Sequence, residues 1–159
     1  MKKFIYFIIL GIIFFSGFTV RAQETVNIVL PANVSFDVVD VNEETEADSV
    51  ALSYTEANLY SGNYLRISIR ANNLNFTRPA NAGDYIAASS VSWTTSNAQG
   101  GSGVNGTLSS VSYNVVYESI VNPTSGSLSI IWRLAAPGAG IRAGDHTLNC
   151  TWKIESLTP

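Results

Sequence analysis

Apolar and polar residues alternate one by one along most of this chain, and no apolar stripe of helical spacing runs longer than two turns. A period of two belongs to a strand with one face buried and the other wet, so the pattern predicts an all-β fold. The final run is the clearest. His146, Leu148, Cys150, Trp152 and Ile154 share one face, while Thr147, Asn149, Thr151, Lys153 and Glu155 share the other. The same spacing predicts strands through Leu128, Ile130, Trp132 and Leu134, through Val111, Tyr113, Val115 and Tyr117, and through Leu65, Ile67 and Ile69 opposite Arg66, Ser68 and Arg70. Val91 with Trp93, Val50 with Leu52 and Tyr54, Val34 with Phe36 and Val38, and Val26 with Ile28 and Leu30 bring the expected number to about seven or eight. Trp93, Trp132 and Trp152 are all expected in the core, since large aromatics favour strands and supply the greatest burial.

Turn signals separate these runs at the intervals of an all-β sandwich. Ser61-Gly-Asn63, the stretch from Arg78 to Asp84, the glycine-rich run from Gln99 to Gly103, Asn122-Pro-Thr-Ser-Gly126 and Pro137-Gly-Ala-Gly140 each offer a fixed φ or a tolerance of positive φ. No linker divides the chain. The expected fold is one antiparallel β-sandwich of immunoglobulin-like or Greek-key type over residues 23–159. Ala82-Gly-Asp84-Tyr85 and Ala143-Gly-Asp145-His146 form a faint internal echo, each leading towards a tryptophan. Gly-Asp is a common way to turn into a strand, so the echo does not require a duplicated half.

Residues 1–22 read as an export signal. Lys2 and Lys3 give a positive start, Phe4 to Phe15 is apolar, and Val20-Arg-Ala22 suits cleavage after Ala22, leaving a chain that begins at Gln23. A membrane span needs about 20 apolar residues. Ser16, Gly17, Thr19 and Arg21 interrupt the run before that length, so no membrane span is expected after cleavage. An exported, extracytoplasmic location follows, in the periplasm or at the cell surface.

The remaining 137 residues hold six cations against twelve carboxylates. An acidic chain with scattered arginines lacks the electrostatic footprint of a nucleic-acid binder. Serine, threonine, asparagine and glycine make up 53 of these residues, a composition of turns and wet strand faces. Cys150 is the one cysteine, so no disulfide within the chain can hold the fold.

The residues of catalysis are sparse. His146 is the single imidazole, and on a regular strand it stands about 13 Å from Cys150, beyond reach for thiol activation. Glycoside hydrolysis needs two carboxyls about 5 to 10 Å apart in a cleft. Outside one acidic stretch, Glu56, Asp84, Glu118, Asp145 and Glu155 lie mostly near turns, and nothing marks two as a pair. The glycine-rich run at 100–106 precedes neither a lysine nor a helix, so it is no phosphate cradle. The acidic stretch carries Asp37, Asp40, Glu43, Glu44, Glu46 and Asp48, the nearest approach to a calcium ligand set. It has neither the ligand spacing of a known calcium loop nor a glycine to wrap an ion, and reads first as a solvated loop. No metal and no cofactor are implied. Tyr54, Tyr60, Tyr64 and Tyr85 lie nearest to predicted turns and are the candidates for stacking on sugar rings. Sequons stand at Asn33, Asn75, Asn105 and Asn149, and they matter only in a host that glycosylates.

Trp132-Arg-Leu134, followed by Trp152-Lys-Ile154, resembles the spaced W-x-L signature of WxL-type bacterial cell-wall domains, with isoleucine replacing the second leucine. Ala143-Gly-Asp-His-Thr-Leu148 resembles the turn into the closing strand of secreted fimbrial and spore-coat-U-like sandwiches. Both likenesses cover about the last thirty residues, and the paired cysteines and penultimate aromatic of chaperone-assembled pilins are missing. The resemblance implies a non-enzymatic bacterial surface or envelope protein, structural or adhesive. Its expected partners are cell-wall or host polysaccharide, or other copies of itself. The alternative is a carbohydrate-binding module that uses the four tyrosines. Coplanar exposed rings would favour the sugar module, and an unpaired sheet edge would favour assembly.

Overall fold

The computed structural model describes residues 23–79 and 83–159; the export signal expected at residues 1–22 lies outside them. Ten strands follow in order: β1 (Thr25–Val29), β2 (Thr45–Glu46), β3 (Val50–Asn58), β4 (Tyr64–Ala71), β5 (Val91–Gln99), β6 (Gly101–Gly103), β7 (Gly106–Thr107), β8 (Asn114–Ser119), β9 (Gly126–Leu134) and β10 (Cys150–Leu157). Three of them are only two or three residues long, which accounts for the excess over the expected number. One 3-10 turn at Ala88–Ser90 interrupts the strands. No helix among the described residues is long and apolar enough to cross a membrane.

The strands form two sheets. The larger runs β1-β3-β9-β5-β7, with β2 also on β9, and the smaller runs β10-β4-β8-β6. Every pairing is antiparallel. From β3 onward each strand lies in the opposite sheet from the one before it, so ladder neighbours are joined by connections that cross the sandwich. The all-β antiparallel sandwich expected from the alternation is the observed fold.

The period-two pattern builds the core directly. Leu128, Ile130, Trp132 and Leu134 of β9 face inward with Leu52 and Tyr54 of β3 and Val91 and Trp93 of β5. Leu65, Ile67, Ile69 and Ala71 of β4 meet them from the smaller sheet. Two aromatic pairs order the core. Trp93 and Trp132 pack at 5.4 Å between ring centroids within the larger sheet, and Tyr54 meets Tyr117 of β8 across the sandwich at 5.8 Å. The buried hydroxyls find acceptors, since Tyr117 Oη donates to the Gln99 carbonyl at 2.7 Å and Tyr54 Oη to that of Gly100 at 3.3 Å. Gly100 makes the β5–β6 turn possible, because its φ of +68° suits glycine and a Cβ there would strike the backbone of Ser125 and Gly126.

Two expected strands need correction. Val34, Phe36 and Val38 pack against the core, yet residues 30–44 form no ladder. Alternation shows only that an extended segment lies apolar side down. A strand also needs a free edge running alongside it. The second correction concerns Val111, Tyr113, Val115 and Tyr117, which do not share a face. Opposite β4, Tyr117 pairs with Ile67 and Val115 with Ser68, leaving Val116 as an extra residue at a β-bulge. The bulge resets the parity. Val116 and Tyr117 are both buried, Tyr113 lies on the outer face beneath Arg70, and Val111 is 87% exposed.

Candidate functional site

The residues singled out for chemistry are dispersed. His146 lies before β10, half-buried, in a segment held by a bridge between Thr77 and Thr147. Its Nε2–H donates to the Arg142 carbonyl at 2.9 Å, and Nδ1 is buried with no partner among the described residues. Cys150 opens β10 and is half-buried, and burial pushes its thiol above the ordinary range, which suppresses the thiolate. The first Gly-Asp turn of the internal echo meets the turn ahead of the second, with the Asp84 N–H donating to Gly140 O at 2.9 Å, but the strands the two precede lie in different sheets.

The acidic stretch is exposed loop around the short β2. Glu46 and Glu44 pair with Arg133 of β9 at 2.7 and 3.6 Å. Asp40 accepts from the backbone N–H and the side-chain amide of Asn42, closing a local turn. Asp37, Asp40, Glu43 and Glu44 border a shallow depression. Among the described residues, no three side chains of His, Cys, Asp or Glu stand close enough together to hold a metal ion.

The four tyrosines do not converge. Tyr54 is 1% exposed and belongs to the core, whereas Tyr60 lies in the β3–β4 connection. Tyr85 lies under the Arg78 guanidinium at 3.7 Å, and its hydroxyl accepts from the same side chain at 2.7 Å. Tyr64 is half-buried at the start of β4, with Arg66 at 5.6 Å from its centroid.

The most organised surface is the smaller sheet from β10 inward. Its outer face carries Arg66, Arg70 and Lys153, half of the cations in residues 23–159. Arg66 pairs with Glu118 at 2.7 Å, a bond that holds its guanidinium above the usual range. Arg70 and Lys153 both approach the Tyr113 ring, at 4.8 and 5.6 Å, and Lys153 also pairs with Glu155 on its own strand at 2.6 Å. Beside this face runs a long open edge. All eight residues of β10 pair with β4 in one unbroken register, and among the described residues nothing pairs along the other side. The Asn72 N–H donates to the Asn149 carbonyl at 2.8 Å, in register with Cys150 opposite Ala71. Odd-numbered residues therefore bond to β4. Cys150, Trp152, Ile154 and Ser156 turn their N–H and C=O outward, because antiparallel partners alternate in direction.

This edge is what reading the sequence missed. The alternation from His146 to Ile154 places the apolar residues on the inward face, but the opposing sheet does not fully cover them. Trp152 packs against the core but is only half-buried, and Ile154 is 41% exposed, so the expectation of a core Trp152 holds only in part. Nothing in a run of residues says whether it ends up central or peripheral.

No family model matches the chain, and no curated protein matches it. Among solved structures, the crystal structure of the P pilus rod subunit PapA is similar at a TM-score of 0.43 and 8% identity, over 79% of this chain and all of that one. A likeness so loose decides neither fold nor function.

Proposed function

We propose that this protein is a non-enzymatic structural component of a bacterial cell surface or envelope, exported through its N-terminal segment and working by contact with further copies of itself. The observation that carries this reading is the open edge of β10. Sheet edges are ordinarily blunted by shortness, bulges, proline or charged side chains such as lysine, because an unpaired ladder invites another chain. Here the edge is eight residues long, free of bulge and proline, and flanked by a partly uncovered apolar face. The scattered placement of His146, Cys150 and the carboxylates supports the non-enzymatic part, since a general base must lie within hydrogen-bond reach of its nucleophile. The core position of Tyr54 and the engagement of the Tyr85 ring and hydroxyl by Arg78 speak for assembly over sugar stacking.

The test combines localisation, mass and turnover. Fractionated cells producing the full chain should hold it outside the cytoplasm, and its sedimenting mass should rise with concentration. Ester, peptide and glycoside substrates should remain unhydrolysed beyond a heat-denatured control. Turnover, or tight retention on a glycan array by a strictly monomeric protein, would replace this reading.

A further inference from the structure

We propose that two copies pair through β10 about a twofold axis at Ile154, joining their smaller sheets into one continuous eight-stranded sheet. The inference rests on the self-association proposed above and adds its geometry. The residues whose N–H and C=O point outward are Cys150, Trp152, Ile154 and Ser156. An antiparallel partner must therefore meet them with its own even-numbered residues, and the possible registers differ in steps of two.

Charge chooses among those registers. With Ile154 opposite its own copy, Lys153 stands across from Glu155 of the second copy, and Glu155 across from its Lys153. Moving the centre to Lys153 sets lysine opposite lysine. Moving it to Glu155 sets glutamate opposite glutamate. Directly opposed residues on a sheet face stand about 5 Å apart at Cβ, so like charges there are destabilising and opposite charges favourable. The Lys153 and Glu155 already paired within one strand would become a four-charge row over the outer face. On the inner face, Ile154 loses the exposure that sets it among the large apolar residues of the surface, and Trp152 comes opposite Ser156 of the second copy. Three outward-pointing residues from each copy, Trp152, Ile154 and Ser156, satisfy one another with about six backbone hydrogen bonds.

The register predicts a crosslink. Opposed hydrogen-bonded residues in an antiparallel pair have Cα atoms about 5.5 Å apart, within the reach of a disulfide. The full chain carrying Cys150→Ser and Ile154→Cys should form a covalent dimer on mild oxidation, whereas Cys150→Ser with Thr151→Cys should not. Sedimentation equilibrium gives the second reading. Lys153→Glu turns both cross-strand pairs into like charges and should weaken the dimer by about tenfold or more. Lys153→Glu combined with Glu155→Lys should restore it, which no loss of fold can mimic. A dimer or larger assembly that withstands every β10 substitution and yields no crosslink in the Ile154→Cys variant would overturn the pairing while leaving self-association in place. A protein that stays monomeric into the millimolar range would overturn both, while export and absence of turnover would be judged separately by the assays above.

Discussion

β9 and β10 carry nearly the same signature, Trp132-Arg-Leu134 in one and Trp152-Lys-Ile154 in the other, and they end in opposite circumstances. β9 is central, flanked by β3 and β2 on one side and β5 on the other, with Trp132 at 4% and Leu134 at 3% exposure. Among the described residues β10 forms a ladder only with β4, and its tryptophan and isoleucine are partly open to solvent. Parity sets which face a side chain takes, and the neighbours on both sides and above set how much water it loses. Since apolar stabilisation follows the area removed from water, one motif contributes very differently in its two positions.

The largest expected effect tests that difference. Trp132→Ala should destabilise by about 3–5 kcal/mol, the usual cost of truncating a fully buried aromatic. Trp152→Ala should cost about 1–2 kcal/mol, in keeping with partial burial. Denaturant melts at equal and low protein concentration, where β10 is unpaired, measure both. Equal losses would mean that β10 is covered as well as β9 is.

A finer comparison lies inside the larger sheet. The Trp93 indole N–H donates to the Val104 carbonyl at 2.7 Å, and its ring fills the space that a Cβ on Gly106 would need. The Trp132 indole N–H is buried with no acceptor among the described residues. Trp93→Phe should therefore cost about 1–2 kcal/mol more than Trp132→Phe, because only the first strands a bonded carbonyl. The same melts read this, and a reversed order would show that Trp132 has an acceptor after all.

The smallest effect belongs to the far end of β10, which polar bonds secure. The Glu24 carboxylate accepts from the Tyr60 N–H at 2.6 Å, from Ser156 Oγ at 2.8 Å and from the Asn63 amide at 3.1 Å. The Tyr60 bond, with help from Ser156 and Asn63, holds this carboxyl below its ordinary value of 4.5. A carboxyl that is more acidic folded than unfolded contributes stability in full above the unfolded value, and loses it as pH falls through the folded one. The gap in melting temperature between the parent and Glu24→Gln should thus be constant above about pH 5 and shrink below it. A gap independent of pH down to about 3 would show that the carboxylate charge plays no part in holding β1 against β10.

Much of the architecture was legible in the residues. The runs through Leu52, Ile67, Trp93 and Ile130 became strands on the expected face, because a buried side in a sheet demands alternation. Legibility failed where a neighbour decided the outcome. The bulge at Val116 reversed the parity of β8, since the extra residue is defined only against β4. Phe36 alternates with its neighbours and still finds no ladder. The candidate site suffered most. Tyr54 and Tyr64 read alike as aromatics near turns, and one is sealed in the core while the other lies on an outer face.

By itself the sequence determined the all-β class, the inward faces of most strands and the thin supply of catalytic groups, because each depends on residue type and spacing along one stretch of chain. Only the tertiary structure decided that β9 is central and β10 is an edge, that Arg70 and Lys153 meet over Tyr113, and that Ile154 lies open. Those outcomes depend on which distant segments take up the two hydrogen-bonding sides of a strand, and a strand's own residues are the same whether or not the second side is filled.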